Sequence, residues 1–167
     1  MSALSLVAQF DLLLRHLEGA SRKCYGEALV SLAVFGSVGR GTPRPDSDLD
    51  LLIVADSLPD GRMKRVGEFE AVEKELKPVL SELRSAGLTV ELSPVLKTPA
   101  EVLRGSPLLL DMTTDAKILY DRDSFLRSAL DRLKARLEDL GARRIYRGNA
   151  WYWDLKPDFR PGDVIEL

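Results

Sequence analysis

The sequence predicts an α/β chain of the α+β kind, a small mixed β-sheet flanked by helices. Three observations predict it. Residues 28–35 and 49–54 are short, almost wholly apolar runs of the kind buried strands show. Residues 89–95 alternate in polarity, as a strand with one buried face does. Apolar residues at helical spacing fill the long stretches around them. The 167 residues, 45% hydrophobic and 30% charged, suffice for one core and hardly for two.

In chain order, Leu6, Phe10, Leu13, Leu14 and Leu17 predict an amphipathic first helix, with Gly19 as its stop and His16 facing solvent. Ala28–Phe35 is the first strand, ending at Gly36. Residues 36–47 hold three Gly and two Pro with Ser, Thr and Asp, a loop with room for one helical turn. Leu49–Val54 is the second strand, closed by the turn residues Pro59-Asp60-Gly61. Met63, Val66, Phe69, Val72, Leu76, Val79, Leu80 and Leu83 keep a helical period over 63–85, with a kink or break expected near Lys77 because Pro78 follows. In the third strand, Thr89–Val95, Val90 and Leu92 share one face and Thr89, Glu91 and Ser93 the other. Thr98-Pro99 and Ser106-Pro107 each start a short helix. Lys117–Tyr120 is a short strand, and Leu126, Leu130, Leu133, Leu137 and Leu140 form a helical stripe before Gly141. The expected division is a domain over 1–141 and a tail over 142–167. That tail carries Arg143, Arg144, Arg147, Lys156 and Arg160 with Tyr146, Trp151, Tyr152, Trp153 and Phe159, and no clear period.

Composition removes several classes of function. A formal net charge of -2 gives no global attraction to nucleic acid or anionic lipid. Cys24 is the sole cysteine, which excludes an internal disulfide and a thiolate-rich zinc site; His16 is the sole histidine, which excludes a histidine metal cluster. Residues 1–17 do not read as a signal peptide and no run is long enough to span a bilayer, so the expectation is a cytoplasmic protein without membrane contact.

The chemistry concentrates in Phe35-Gly36-Ser37-Val38-Gly39-Arg40-Gly41-Thr42 and Asp46-Ser47-Asp48-Leu49-Asp50. Residues two apart on a strand share a face, so Asp48 and Asp50 project together, and two such carboxylates repel unless a cation lies between them. Magnesium suits the pair: it takes one or two carboxylates and keeps positions for substrate phosphates. Gly36 and Ser37 follow a strand and enter a turn, where backbone N–H groups and a hydroxyl can hold phosphate oxygens. Other phosphate motifs fail in detail. The P-loop needs Lys where Thr42 stands, the dinucleotide fingerprint needs Gly-x-Gly where Gly36-Ser37-Val38 stands, and the nucleophile elbow needs Gly at Phe35.

Strand, Gly36-Ser37, Arg40-Gly41, then Ser47-Asp48-x-Asp50 on the next strand resembles the signature of the DNA polymerase β-type nucleotidyltransferases, with ten residues between Ser37 and Asp48. The fragment is especially similar to the minimal, antitoxin-like prokaryotic members, and the likeness covers residues 29–96. The resemblance implies that family's fold, a nucleoside triphosphate substrate, ATP by preference, and two magnesium ions. It places Gly36 and Ser37 on the triphosphate and Asp48 and Asp50 on the ions. Glu91 becomes the third, acceptor-side carboxylate, while Arg40 and Ser47 join the nucleotide-binding set. It also implies transfer of a nucleoside monophosphate to a hydroxyl of a protein or small molecule, with a helical, HEPT-type partner protein as one acceptor. Two rival readings stay open: a binding module for a helical partner with catalysis secondary, and an RNA-end nucleotidyltransferase whose aromatic, basic tail stacks on single strands. For the tail itself, packing or partner contact is preferred over nucleic acid, and the oligomeric state is open.

Overall fold

A computed structural model describes residues 5–167; Met1–Leu4, the start of the stretch read as free of a signal peptide, lie outside the described residues. The elements run α1 (Leu6–Tyr25), β1 (Leu29–Val34), α2 (Gly36–Gly39), β2 (Leu49–Ala55), α3 (Arg62–Ser85), β3 (Leu92–Lys97), α4 (Pro99–Leu103), α5 (Pro107–Asp115), β4 (Lys117–Asp121), α6 (Phe125–Asp139), β5 (Arg143–Arg147) and β6 (Ala150–Asp154). Four strands form a mixed sheet in the order β3-β2-β1-β4, in which only β2 and β3 run parallel.

Alternation along β2 divides the core in two. Leu49, Leu51 and Ile53 face α1 and α3, where Phe10, Leu13, Leu17, Phe69, Val72 and Leu76 close over them. Leu52 and Val54 face the other way, against Val102, Leu109, Met112, Leu126 and Leu130 of α4, α5 and α6. Leu13, Leu17, Phe69 and Leu76 are wholly buried, each worth roughly 1.5–3 kcal/mol relative to exposure. Asp50 belongs to the Leu52–Val54 row, one step beyond the point where apolar side chains cover it.

Three expectations on the elements change. Gly19 does not stop α1, which continues to Tyr25 because Ala20 and Ser21 are also buried. The stop is Gly26, at φ 54, whose N–H bonds the Arg22 carbonyl. Pro78 neither splits nor ends α3, which stays one helix through Ser85. Pro78 and Lys74 are exposed while Leu76 and Val79 anchor the buried face, so the carbonyl that loses its partner can turn to water. The third strand starts at Leu92 rather than Thr89 and runs on to Lys97. Pro94 is tolerated there because β3 is an edge strand paired on one side only.

The tail has more structure than its composition shows. β5 and β6 pair antiparallel as a hairpin, Arg143 opposite Asp154 and Arg147 opposite Ala150. Gly148 and Asn149 make the two-residue turn, and Gly148 takes φ 61, as the first position of a type II′ turn requires.

Candidate active site

The site begins where β1 ends. Phe35 is extended, and Gly36 turns the chain at φ 65 into the single turn of α2. Two observations require glycine there. A left-handed φ disfavours a side chain, and a Cβ at position 36 would fall on Oδ2 of Asp50. The backbone ties the same places together, since the Phe35 N–H donates to the Asp50 carbonyl at 3.0 Å. Gly36 and Asp50 therefore touch, and the N–H groups at the start of α2 open beside a carboxylate pair.

Asp48 is exposed and Asp50 half-buried. Burial first, and the charge of Asp48 second, push the Asp50 carboxyl above its ordinary range; the Ser93 hydroxyl and the Arg40 charge oppose this. The two aspartates thus act on one another as the two-residue spacing predicts, at an open end of β2. Two repelling carboxylates, one partly desolvated, form a donor set that a hard divalent cation relieves and that suits magnesium.

Glu91 lies just before β3 and is exposed; its carbonyl accepts the Leu49 N–H at 2.8 Å. The parallel register sets Ser93 beside Asp50, so Glu91 is carried to the same rim as Asp48. Among the described residues, however, no three His, Cys, Asp or Glu side chains draw into a group able to hold a metal. The Asp48 charge acts on Asp50, while Glu91 stays at the edge, because β3 begins at Leu92, just past it, and not at Thr89.

Ser37 and Ser47 meet, ten positions apart. The Ser37 hydroxyl donates to Ser47 Oγ at 2.9 Å, and that oxygen also accepts the Arg44 N–H at 2.9 Å. Ser47 is buried, and its hydroxyl braces the loop and Ser37. Arg40 is likewise engaged. It donates from Nη1 to Asp115 Oδ2 at 3.1 Å and lies 5.2 Å from the centre of the Trp151 ring.

Sequence reasoning missed the residues that hold Arg40 and their neighbours on α5 and the hairpin. Asp115 is buried, and its Oδ1 accepts Arg144 at 3.2 Å and Thr114 at 2.9 Å. One turn earlier on α5, Asp111 Oδ1 accepts the indole N–H groups of Trp151 and Trp153, both at 2.9 Å, and Arg144 at 3.2 Å. An acid at 111 and another at 115 on one helix face, with Arg and Trp alternating on a hairpin, was the available signal.

The nucleotidyltransferase domain family matches residues 15–120, which span α1 to β4. This chain belongs to the nucleotidyltransferase family. A Methanocaldococcus jannaschii protein that carries the provisional name of protein adenylyltransferase is 36% identical over 119 residues, 68% of this chain and 75% of that one. The spectinomycin adenyltransferase of Enterococcus faecialis, solved with ATP and spectinomycin, has a TM-score of 0.51 at 15% identity, over 77% of this chain and 68% of that one. A toxin–antitoxin complex solved with AMP-PNP has a TM-score of 0.42 at 18% identity, over 77% of this chain and 92% of that one. The adenyltransferase likeness bears on the fold alone, which is that of the polymerase β-type nucleotidyltransferases. This nucleotidyltransferase is thus an enzyme of nucleotidyl transfer acting on a nucleoside triphosphate. Among its described residues no helix is long and apolar enough to cross a membrane.

Proposed function

We propose that this nucleotidyltransferase transfers AMP from ATP, with magnesium, to a hydroxyl on a partner protein. The observation that carries the proposal is the contact between the Gly36 turn and Asp50, whose carboxyl also feels the charge of Asp48; it supports a phosphate cradle beside a metal-binding pair. The name of the archaeal relative, at 36% identity, supports a protein acceptor.

In this reading Gly36 and Ser37 hold the triphosphate through N–H groups and the hydroxyl, and Asp48 and Asp50 hold two magnesium ions. Glu91, exposed at the same rim, is the third carboxylate on the acceptor side. The ions would lower the pKa of the acceptor hydroxyl and neutralise charge on the triphosphate. The acceptor oxygen bonds to the α-phosphorus, the bond from that phosphorus to the bridging oxygen breaks, pyrophosphate leaves, and the hydroxyl proton passes to water at the exposed rim. Asp50, half-buried, has the geometry to fix the turn and the reacting phosphate together; Asp48, exposed, has room for an incoming acceptor. Trp151 and Trp153 already bond to Asp111, which favours packing over their stacking on RNA.

Incubating the protein with α-labelled ATP, magnesium and candidate helical partner proteins tests the reading. Label on a partner with the wild type and none with Asp50→Asn supports it. Tight partner binding with no label, unchanged by Asp50→Asn, supports a binding module instead, and label entering RNA supports an RNA-end enzyme.

A further inference from the structure

The β5–β6 hairpin lies outside residues 15–120, the span the family shares, yet its inner face is bonded to the helix that holds Arg40. Arg144 pairs across the hairpin with Trp153, and Tyr146 with Trp151, so these four share a face. That face meets α5. Arg144 donates to Asp111 and Asp115, and both indoles donate to Asp111. The Arg144 guanidinium lies 5.2 Å from the centre of the Trp151 ring and 5.3 Å from that of Trp153. The other side of Trp151's surroundings is Arg40, at 5.2 Å and bonded to the same Asp115.

From Arg40 the path to the site is short and rigid. Arg40 caps α2, its N–H donating to the Gly36 carbonyl at 3.1 Å. Gly39 is packed so closely that a Cβ would fall on the carbonyl oxygens of both Asp115 and Val34. Gly36, one turn earlier, is closed against Asp50. The α2 turn is therefore clamped at one end by Asp115 and Arg40 and at the other by Asp50, and the hairpin holds the first clamp shut. A surface tail kept only for solubility has no need of a buried carboxylate shared by two arginines, with side-chain exposures of 5% for Asp115 and 12% for Arg144.

We infer that the hairpin is a working part of the nucleotide site, with Trp151, Arg144 and Asp115 as positioning residues that fix Arg40 and the Gly36–Arg40 turn for the triphosphate. The inference rests on the nucleotidyl-transfer reading above. It assigns the hairpin to the reaction rather than to the acceptor. Arg40 keeps a side-chain exposure of 33%, and its charge is felt by the Asp50 carboxyl.

Steady-state kinetics with ATP at varied concentration test it in the full-length protein. Trp151→Ala should lower kcat/KM by roughly tenfold to a hundredfold, the cost of a reacting group misplaced by a fraction of an ångström, and Trp151→Phe, which keeps the ring face, should recover most of it. Tyr152→Ala, on the opposite face of the hairpin, should match the wild type. Because Trp151→Ala could loosen the fold, a second measurement uses the wild type alone. The chain has two tryptophans, both in the hairpin, so a non-hydrolysable ATP analogue with magnesium should change the intrinsic emission and saturate at the calorimetric Kd. The inference is overturned if emission stays constant while calorimetry shows the analogue binding, or if Trp151→Ala lowers Tm yet leaves kcat and KM unchanged. If calorimetry shows no nucleotide bound and no triphosphate is turned over, the nucleotidyl-transfer reading itself falls.

Discussion

Gly36 and Asp50 occupy adjoining space so tightly that the glycine hydrogen is the largest group the carboxylate permits. At φ 65 the backbone of Gly36 also disfavours any side chain. Gly36→Ala should therefore cost about 1–2 kcal/mol in stability through the left-handed backbone, and push Asp50 out of line. Transfer activity should fall by about a hundredfold, since a small misplacement at a reacting centre is that costly. Circular dichroism melts and label-transfer rates on the same preparation check both; activity lost without a matching loss of fold is the expected pattern.

Asp115 is the buried acid between Arg40 and Arg144. Asp115→Ala takes from Arg40 its carboxylate partner and leaves Arg144 with Asp111 alone, and removal of one partner from a buried ionic group costs about 3 kcal/mol. Asp115→Asn keeps the shape and part of the hydrogen bonding, and should cost less. Urea denaturation of both variants measures this. Equal stability of Asp115→Ala and wild type would show that the hairpin does not depend on the shared carboxylate.

Glu101 gives the clearest pH dependence. The Arg65 guanidinium grips both its oxygens, at 2.7 and 3.0 Å, and the Thr98 N–H adds a third bond at 2.8 Å. Together, Arg65 first, they hold the carboxyl down to about 2 from an ordinary 4.5. A folded value below the unfolded one means that the stabilisation is complete above about 4.5 and is lost as pH falls toward about 2. With the side chain 27% exposed, solvent screening reduces its worth, to roughly 1–2 kcal/mol at neutral pH. Glu101→Gln should lower Tm at pH 7 by a few degrees, and flatten the Tm-against-pH curve below pH 5. Parallel curves for the two proteins across that range would contradict the assignment.

The order of elements was legible in the sequence because the core strands and helices carry unbroken apolar rows. Leu49, Leu51 and Ile53 alternate with Leu52 and Val54, and Leu126, Leu130 and Leu137 recur at helical spacing, so burial itself writes those elements into the chain. Asp48 and Asp50 were legible for the converse reason. An acid within an apolar strand demands compensation, and Asp50, half-buried, has the Ser93 hydroxyl and the Arg40 charge beside it. What was hidden depended on long-range pairing. Nothing local to Arg40 announces Asp115, 75 positions away, or Trp151 beyond it. The start of β3 and the continuation of α1 past Gly19 were misjudged for a related reason. Each is decided by which neighbour covers the segment, and propensity at one residue does not contain that. The hairpin could have been found from Gly148-Asn149 between two aromatic, β-prone runs, had those runs not been read as one tail.

The central claim is that Asp48 and Asp50 hold a metal–nucleotide complex against the Gly36–Ser37 turn. The most direct measurement is manganese(II) binding followed by electron paramagnetic resonance, in the presence and absence of a non-hydrolysable ATP analogue. The account predicts that wild type binds manganese with the analogue, more tightly than without it, and that Asp50→Asn loses most of that binding while melting at or near the wild-type temperature. Manganese and analogue bound equally well by Asp48→Asn, Asp50→Asn and the wild type would contradict it.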